Sequence, residues 1–147
     1  MSRLRYLFVA VFLLIASYLL DDAGVLPLPE SRQPASSTDA VLAEAFADRR
    51  SNIQVQGHGI VVRILRDDTS GDRHQKFILQ LLSGQQLLVA HNIDLAPRID
   101  ALEVGDSVNF FGEYEWNERG GVIHWTHHDP GGRHPDGWLR HRGITYR

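Results

Sequence analysis

The residues able to do chemistry crowd into the second half of the chain. All eight histidines lie between His58 and His141. The densest stretch reads His124-Trp-Thr-His-His-Asp-Pro-Gly-Gly-Arg-His-Pro-Asp-Gly-Trp138. On an extended strand His124, Thr126 and His128 point one way and Trp125 and His127 the other, so His124 and His128 can share a ligand. Imidazoles beside carboxylates such as Asp129 and Asp136 suit zinc, copper or non-haem iron. Three protein ligands with one open position would make a catalytic centre. The spacing matches no strong metal signature, being neither His-Glu-x-x-His nor a cysteine pattern. A structural account has the histidines bonding loop carbonyls while Trp125 and Trp138 pack as apolar plates. A metal-free binding cleft is the third account.

The second stretch is His91-Asn-Ile-Asp-Leu-Ala-Pro-Arg98, where His91, Asn92, Asp94 and Arg98 offer four polar chemistries beside a strand end. Loops at strand ends are where small barrels carry their sites. Arg98 can hold a phosphate or carboxylate through two parallel hydrogen bonds. An Asp94–Arg98 pair bracing the turn is the plainer account. Asp67, Asp68 and Asp72 read as a solvated turn, with a hard cation as the alternative. Glu113 and Glu115 share one strand face, as acid/base carboxylates do and as any polar outer face does.

Strands must position these groups. Gly57–Arg66, His74–Leu82 and Gln85–Asn92 are rich in apolar and β-branched residues and are separated by turn-forming Asp67–Asp72 and Ser83-Gly84. Residues 93–104 contain Pro97 and read as one irregular helical turn. Ser107–Trp116 and Val122–His128 follow, joined by the glycine-containing loop Asn117–Gly121. Three strands, a connection and two more strands, with Gly59 and Gly112 where strands must bend, is the order of an OB-like five-stranded barrel. An open sandwich or an SH3-like barrel is the competitor. The fold class is therefore mainly β, with a hydrophobic helix and one short amphipathic helix ahead of the barrel.

Residues 1–20 form a targeting segment. Arg3 and Arg5 precede an apolar run from Tyr6 to Leu20 that Asp21 and Asp22 close. Fifteen helical residues rise only about 22 Å, against a hydrocarbon core of roughly 30 Å. Cleavage after Ser17 or Ala23 would place Ile15 or Asp21 three residues before the cut, so an uncleaved signal-anchor is preferred to a cleaved signal peptide. The positive head stays cytoplasmic, which sends the rest across the membrane; in a bacterium that is the periplasmic side of the inner membrane, where the chain stays anchored or is freed after cleavage. Residues 21–38 read as a Pro/Ser-rich linker. Thr38 or Ser37 caps a helix over Asp39–Arg50, within a segment 39–52, with Val41, Leu42, Ala45 and Phe46 as its apolar stripe. Residues 53–147 are the OB-like domain and its His-rich end.

Composition sets bounds on function. The 147 residues carry a formal charge of −3 and no cysteine, which excludes disulfides, thiolate metal sites and thiol catalysis. Residues 57–147 hold ten Arg or Lys against twelve Asp or Glu, a net of −2, which argues against duplex DNA as partner. Gly131–Arg147 is locally basic, with four arginines against Asp136, and reads first as a solvated tail.

The blocks Arg73–Leu79, Ala90–Arg98, Gly112–Asn117 and Gly120–Pro130 together resemble a bacterial family of uncharacterised proteins, domain of unknown function 3465. The resemblance covers about residues 55–147 and implies small exported or membrane-tethered bacterial proteins. It implies no activity and carries no catalytic assignment. The residues themselves support first a non-enzymatic, membrane-tethered binding module for a small or polymeric envelope ligand. His91, Asn92, Asp94, Arg98 and Trp125 would bind it, and Tyr114, Trp116, Trp125 and Trp138 could stack on its rings. That reading needs His91, Arg98 and Trp125 to converge. The alternative is a metal-dependent hydrolase of phosphodiesterase or nuclease type. There His91, His124 and His128 would hold a divalent metal such as zinc, Arg98 the phosphate, and Asp94 or Glu113 would be the base. A structural part in an envelope complex is the third reading.

Overall fold

The computed structural model describes residues 37–147. The targeting segment 1–20 and nearly all of the 21–38 linker lie outside the described residues. Among those described, no helix is long and apolar enough to cross a membrane.

The first element is helix α1, Ser37–Ala47, which begins two residues earlier and ends three earlier than its sequence pattern indicates. Thr38 does not cap it; its hydroxyl donates to the Gln56 carbonyl at 2.6 Å. At the other end Arg49 takes φ 54°, and the Arg50 and Arg49 amides bond back to the Ala45 and Phe46 carbonyls. That is the paired closure of a left-handed helix cap. Leu42 and Ala45 are fully buried, whereas Val41 and Phe46 stay about two-fifths exposed, so the predicted stripe is narrower. Asp39, also buried, accepts the Ser83 amide at 2.9 Å, which ties α1 to the turn beneath it.

Seven strands follow: β1 Ile53–Ile64, β2 His74–Gln80, β3 Gln86–Asn92, β4 Ser107–Glu115, β5 Val122–His124, β6 Trp138–His141 and β7 Ile144–Tyr146. β1 is long because it serves two neighbours. Ile53–Ile60 pair antiparallel with Tyr114–Ser107 of β4, and Ile60–Ile64 pair with Gln80–Phe77 of β2, across a bulge between Val61 and Arg63. β2 pairs with β3 in an unbroken ladder, β3 lies parallel to β5, and β5 is antiparallel to β4. The circuit β1-β2-β3-β5-β4-β1 closes a five-stranded barrel, the arrangement of an OB-like fold. Gly59 and Gly112 sit where it closes. A Cβ on Gly59 would lie 2.9 Å from the Gln80 carbonyl, and one on Gly112 would collide with the His124 carbonyl.

Inward-facing Val55, Val61, Phe77, Leu79, Leu87, Val89, Val108, Phe110, Tyr114 and Ile123 fill the barrel, and Leu42, Ala45, Ile99, Leu102 and Leu139 complete the core. The segment after β3 begins with one helical turn, Ala96 N–H to the Asn92 carbonyl. Buried Gln75 then holds it: its amide donates to the Ile99 carbonyl at 2.9 Å and accepts the Ile99 amide at 2.8 Å.

Two expectations change. β5 stops at His124 instead of running to His128, because Trp125 takes φ 51° and turns the chain out of the ladder. The basic end is not a solvated tail: β6 pairs with β4 from Val108↔His141 to Phe111↔Trp138, and β7 closes a hairpin on β6. His141 is buried there and bonds Asp106 at 2.8 Å, while Arg142 reaches the same carboxylate at 3.1 Å. Those contacts, with the Glu103 amide first among them, hold the Asp106 carboxyl at a pKa of about 2.

Candidate functional site

The His91–Arg98 block is braced from within. His91 is fully buried, with Nδ1 2.8 Å from the Thr126 hydroxyl and Nε2 3.2 Å from the Pro97 carbonyl. A carbonyl only accepts, so Nε2 carries the proton and Nδ1 accepts from Thr126. Burial keeps the ring neutral, with a pKa of about 4. Both nitrogens are thus occupied, and no lone pair is left for a metal. Asn92 accepts the Asp94 and Leu95 amides and so shapes the turn. Asp94 and Arg98 do not pair with each other. Asp94 takes the backbone and guanidinium N–H groups of Arg73 at 2.6 and 2.7 Å, and Arg98 binds Asp67 and Asp100 at 2.8 and 2.9 Å. Hydrogen bonds from Arg73 pull the Asp94 carboxyl below its ordinary value.

Residues 125–137 form a loop held by two aspartates. Asp129 accepts the amides of Gly131, Arg133 and His134, and Asp136 accepts the Asp129 amide and the His128 ring at 2.8 Å. His128 Nδ1 is thus engaged by Asp136, and among the described residues the cluster of ligand atoms around His124 takes in neither His91 nor His128. His127 donates to the His128 carbonyl. Trp125 stacks on His134, ring centres 4.1 Å apart and planes 10° apart, so one of its faces is already covered. Tyr114 is wholly in the core, Trp116 carries Arg49 over its ring, and Trp138 carries Arg140. The aromatic platform expected from sequence is thus divided among separate partners, and the polar atoms of His91 and Arg98 are bound to Thr126, Pro97, Asp67 and Asp100.

What the fold does bring together is a row on the outer barrel face. Gln54 of β1 lies opposite Glu113 of β4, which lies opposite His124 of β5, with Glu115 two residues along. Directly opposed residues share a face. His124 Nε2 is 3.4 Å from Glu113 Oε1 and 3.9 Å from Glu115 Oε1. The other Glu113 oxygen receives His134 Nε2 at 2.8 Å, while His134 Nδ1 donates to the Pro135 carbonyl. Both His134 nitrogens face acceptors, which favours the doubly protonated ring. Burial opposes that charge, but the bonds to Glu113 and Pro135 outweigh it and raise the pKa. His124 shifts the other way, because burial outweighs the two glutamates and keeps it neutral. Of this group the sequence singled out Glu113, Glu115 and His124. Gln54 was missed because β1 begins four residues before its apolar pattern does.

A second concavity opens elsewhere on the barrel, a cleft of about 580 Å³ bordered by the far end of β1, by β2 and β3, and by the β4–β5 loop. Val62, Leu65, Ile78 and Leu88 line it with apolar side chains, and Arg63 and Arg119 line it as well. Neither guanidinium has an ion-pair or hydrogen-bond partner among the described residues. Their placement is built. Arg63 sits at the β1 bulge, a device that re-aims a side chain. Arg119 rides a loop in which Asn117 Oδ1 accepts the Arg119 and Gly121 amides and Gln85 donates to the Gly120 carbonyl. Nothing in the sequence pattern distinguishes these arginines from other surface charges; only the closed barrel pairs them.

No curated protein matches the chain. Residues 25–147 match the family described as Protein of unknown function (DUF3465), which takes in the whole barrel, α1 and both arms of the site region. The chain belongs to that family.

Proposed function

We propose that this chain is a non-enzymatic OB-like binding domain whose ligand is an anion with an apolar or ring-shaped body, held in the cleft between Arg63 and Arg119. One observation carries the reading: two arginines that have no acidic partner among the described residues line one cleft together with apolar side chains. Arginine without a carboxylate partner keeps its donors free for phosphate or carboxylate, and a rigid loop lowers the ordering cost of binding. OB barrels in general bind ligands over strands 2 and 3 and the β4–β5 loop, a fold-level analogy that agrees with this placement. We further propose delivery across a bacterial inner membrane by Arg3, Arg5 and the apolar run 6–20, with the domain on the periplasmic side.

The test is an amide chemical-shift titration with glucose 1-phosphate, using glucose as the uncharged control. The phosphate ester should move the amides of residues 62–65 and 117–121, and glucose should not. Arg63→Ala and Arg119→Ala should each weaken the response about tenfold, the scale of one lost charged hydrogen bond. An undiminished response in the double variant, or shifts confined to other faces, would sink the proposal.

A further inference from the structure

The Gln54–Glu113–His124 row leaves polar groups unspent. His124 Nε2 and both amide atoms of Gln54 are shut away from solvent, yet none has a hydrogen-bond partner among the described residues. An unpaired buried polar atom costs about 1–3 kcal/mol, so three in one row demand a reason. Hydrogen bonding within the group does not supply it: His124 Nε2 comes within 3.4 Å of Glu113 Oε1 but without bonding geometry. The electrostatics are equally unbalanced. Two carboxylates converge on one imidazole, and among the described residues no Lys or Arg pairs with either, while His134 binds the far oxygen of Glu113.

Glu113, Glu115 and His124 each offer one ligand atom, and the three atoms lie within 4.8 Å of one another. A tetrahedral centre with bonds of 2.0–2.1 Å sets its ligand atoms about 3.4 Å apart. The His124–Glu113 separation of 3.4 Å matches that edge, and 3.9 Å to Glu115 is within a rotamer adjustment of it. One nitrogen and two carboxylate oxygens suit zinc and its divalent first-row neighbours, whereas calcium and magnesium favour all-oxygen shells. The three residues sit on neighbouring strands of a closed barrel, so their spacing is fixed by the ladder and not by a loop.

We propose that Glu113, Glu115 and His124 bind a divalent transition-metal ion of the zinc class on the outer face of β4 and β5. The ion takes the lone pair of His124 Nε2 and offsets the paired carboxylates. Gln54, opposite Glu113 on β1, has an unpartnered amide that would bond a water or ligand on the metal. His134, fastened to Glu113 and backed by Trp125, is a positioning residue that aims the carboxylate. The site shares no residue with the arginine cleft and stands or falls independently of it.

The experiment uses the full-length chain, purified in detergent without a histidine tag. After equilibration with zinc sulfate and removal of the excess, about one equivalent should remain, with a raised melting temperature, since a ligand of the native state stabilises it. Glu115→Gln is the decisive variant, because the only contact of Glu115 in this group is with His124, and the fold should survive. It should bind zinc at least about 100-fold more weakly, the scale of a lost charged ligand. His128→Ala, which removes a ring bonded to Asp136, should bind as the wild type does. Cobalt(II) in place of zinc should give visible bands in the wild type that Glu115→Gln loses. Less than about a tenth of an equivalent in the wild type, equal binding by Glu115→Gln, or loss in His128→Ala would each overturn the assignment.

Discussion

At the scale of single residues, histidine count says less than histidine environment. His91, His124, His128 and His134 come from two short blocks, yet the fold gives each a different state. His91 shows the consequence most directly. Its ordinary pKa near 6.5 falls to about 4 because burial penalises the charged ring. Below pH 6.5 the unfolded chain therefore takes up a proton that the folded chain refuses, so stability rises with pH across this window. The contribution is complete above 6.5 and lost as pH falls towards 4, reaching a loss of about 2 kcal/mol at pH 5. His134 runs the other way, since its raised pKa adds stability at low pH that disappears as pH rises through the folded value. The comparison that isolates His91 is the urea midpoint at pH 7.5 and pH 5.0 for the wild type and His91→Gln. The wild type should lose more on acidification than the variant. Equal losses would mean that this ring does not drive the pH dependence. Residue identity alone could not have separated these histidines, because the difference comes from burial, and the groups that enclose the His91 ring include Thr126 and Pro97, 35 and 6 positions away in sequence.

At the scale of elements, most strands were legible and their ends were not. Alternation of apolar and polar side chains locates β2, β3 and β4 within two residues at either end, since those strands bury one face. The start of β1 was hidden because Ile53-Gln-Val-Gln is short and gains its pairing from Tyr114–Phe111 of β4, nearly sixty residues on in sequence. The end of β5 was hidden because the break is a backbone angle at Trp125, a residue that ordinarily favours strands. The block after β3 was rightly read as polar, but its partners lie on other elements, so the Asp94–Arg98 pair of the sequence dissolves into Arg73 and Asp67 contacts. What pins this connection is Gln75, whose amide imitates a strand rung with Ile99. Gln75→Ala removes both bonds and leaves the Ile99 amide and carbonyl buried and unpaired. The expected cost is about 3 kcal/mol in urea unfolding, with hydrogen exchange at the Ile99 amide accelerated while β4 amides keep their protection. A variant with unchanged exchange at Ile99 would show that the connection is held by Ile99 and Leu102 packing instead.

At the scale of the whole molecule, the brevity of β5 explains why the chain does not end with the barrel. β4 pairs along one edge with β1, but β5 covers only Glu113–Glu115 of the other edge. Val108–Phe111 would be left as an open row of backbone donors and acceptors, the kind of edge that invites pairing with another chain. β6 occupies that row, and its Leu139 is fully buried in the common core while His141 binds Asp106 behind it. Composition suggested a solvated basic tail there because Arg133, Arg140, Arg142 and Arg147 dominate it; Leu139, between the first two, is the residue that matters. The hairpin is therefore part of the folding unit. A chain ended after Asp136 should lose cooperative unfolding and associate through β4, visible as a broadened urea transition and a larger hydrodynamic radius. Leu139→Ala separates packing from pairing: it keeps the ladder and should cost about 2–5 kcal/mol, with a sharp transition and a monomeric radius. A truncated chain that stays monomeric with an unchanged midpoint would mean that the barrel is closed without β6. In that case the edge of β4 must be protected by its own side chains.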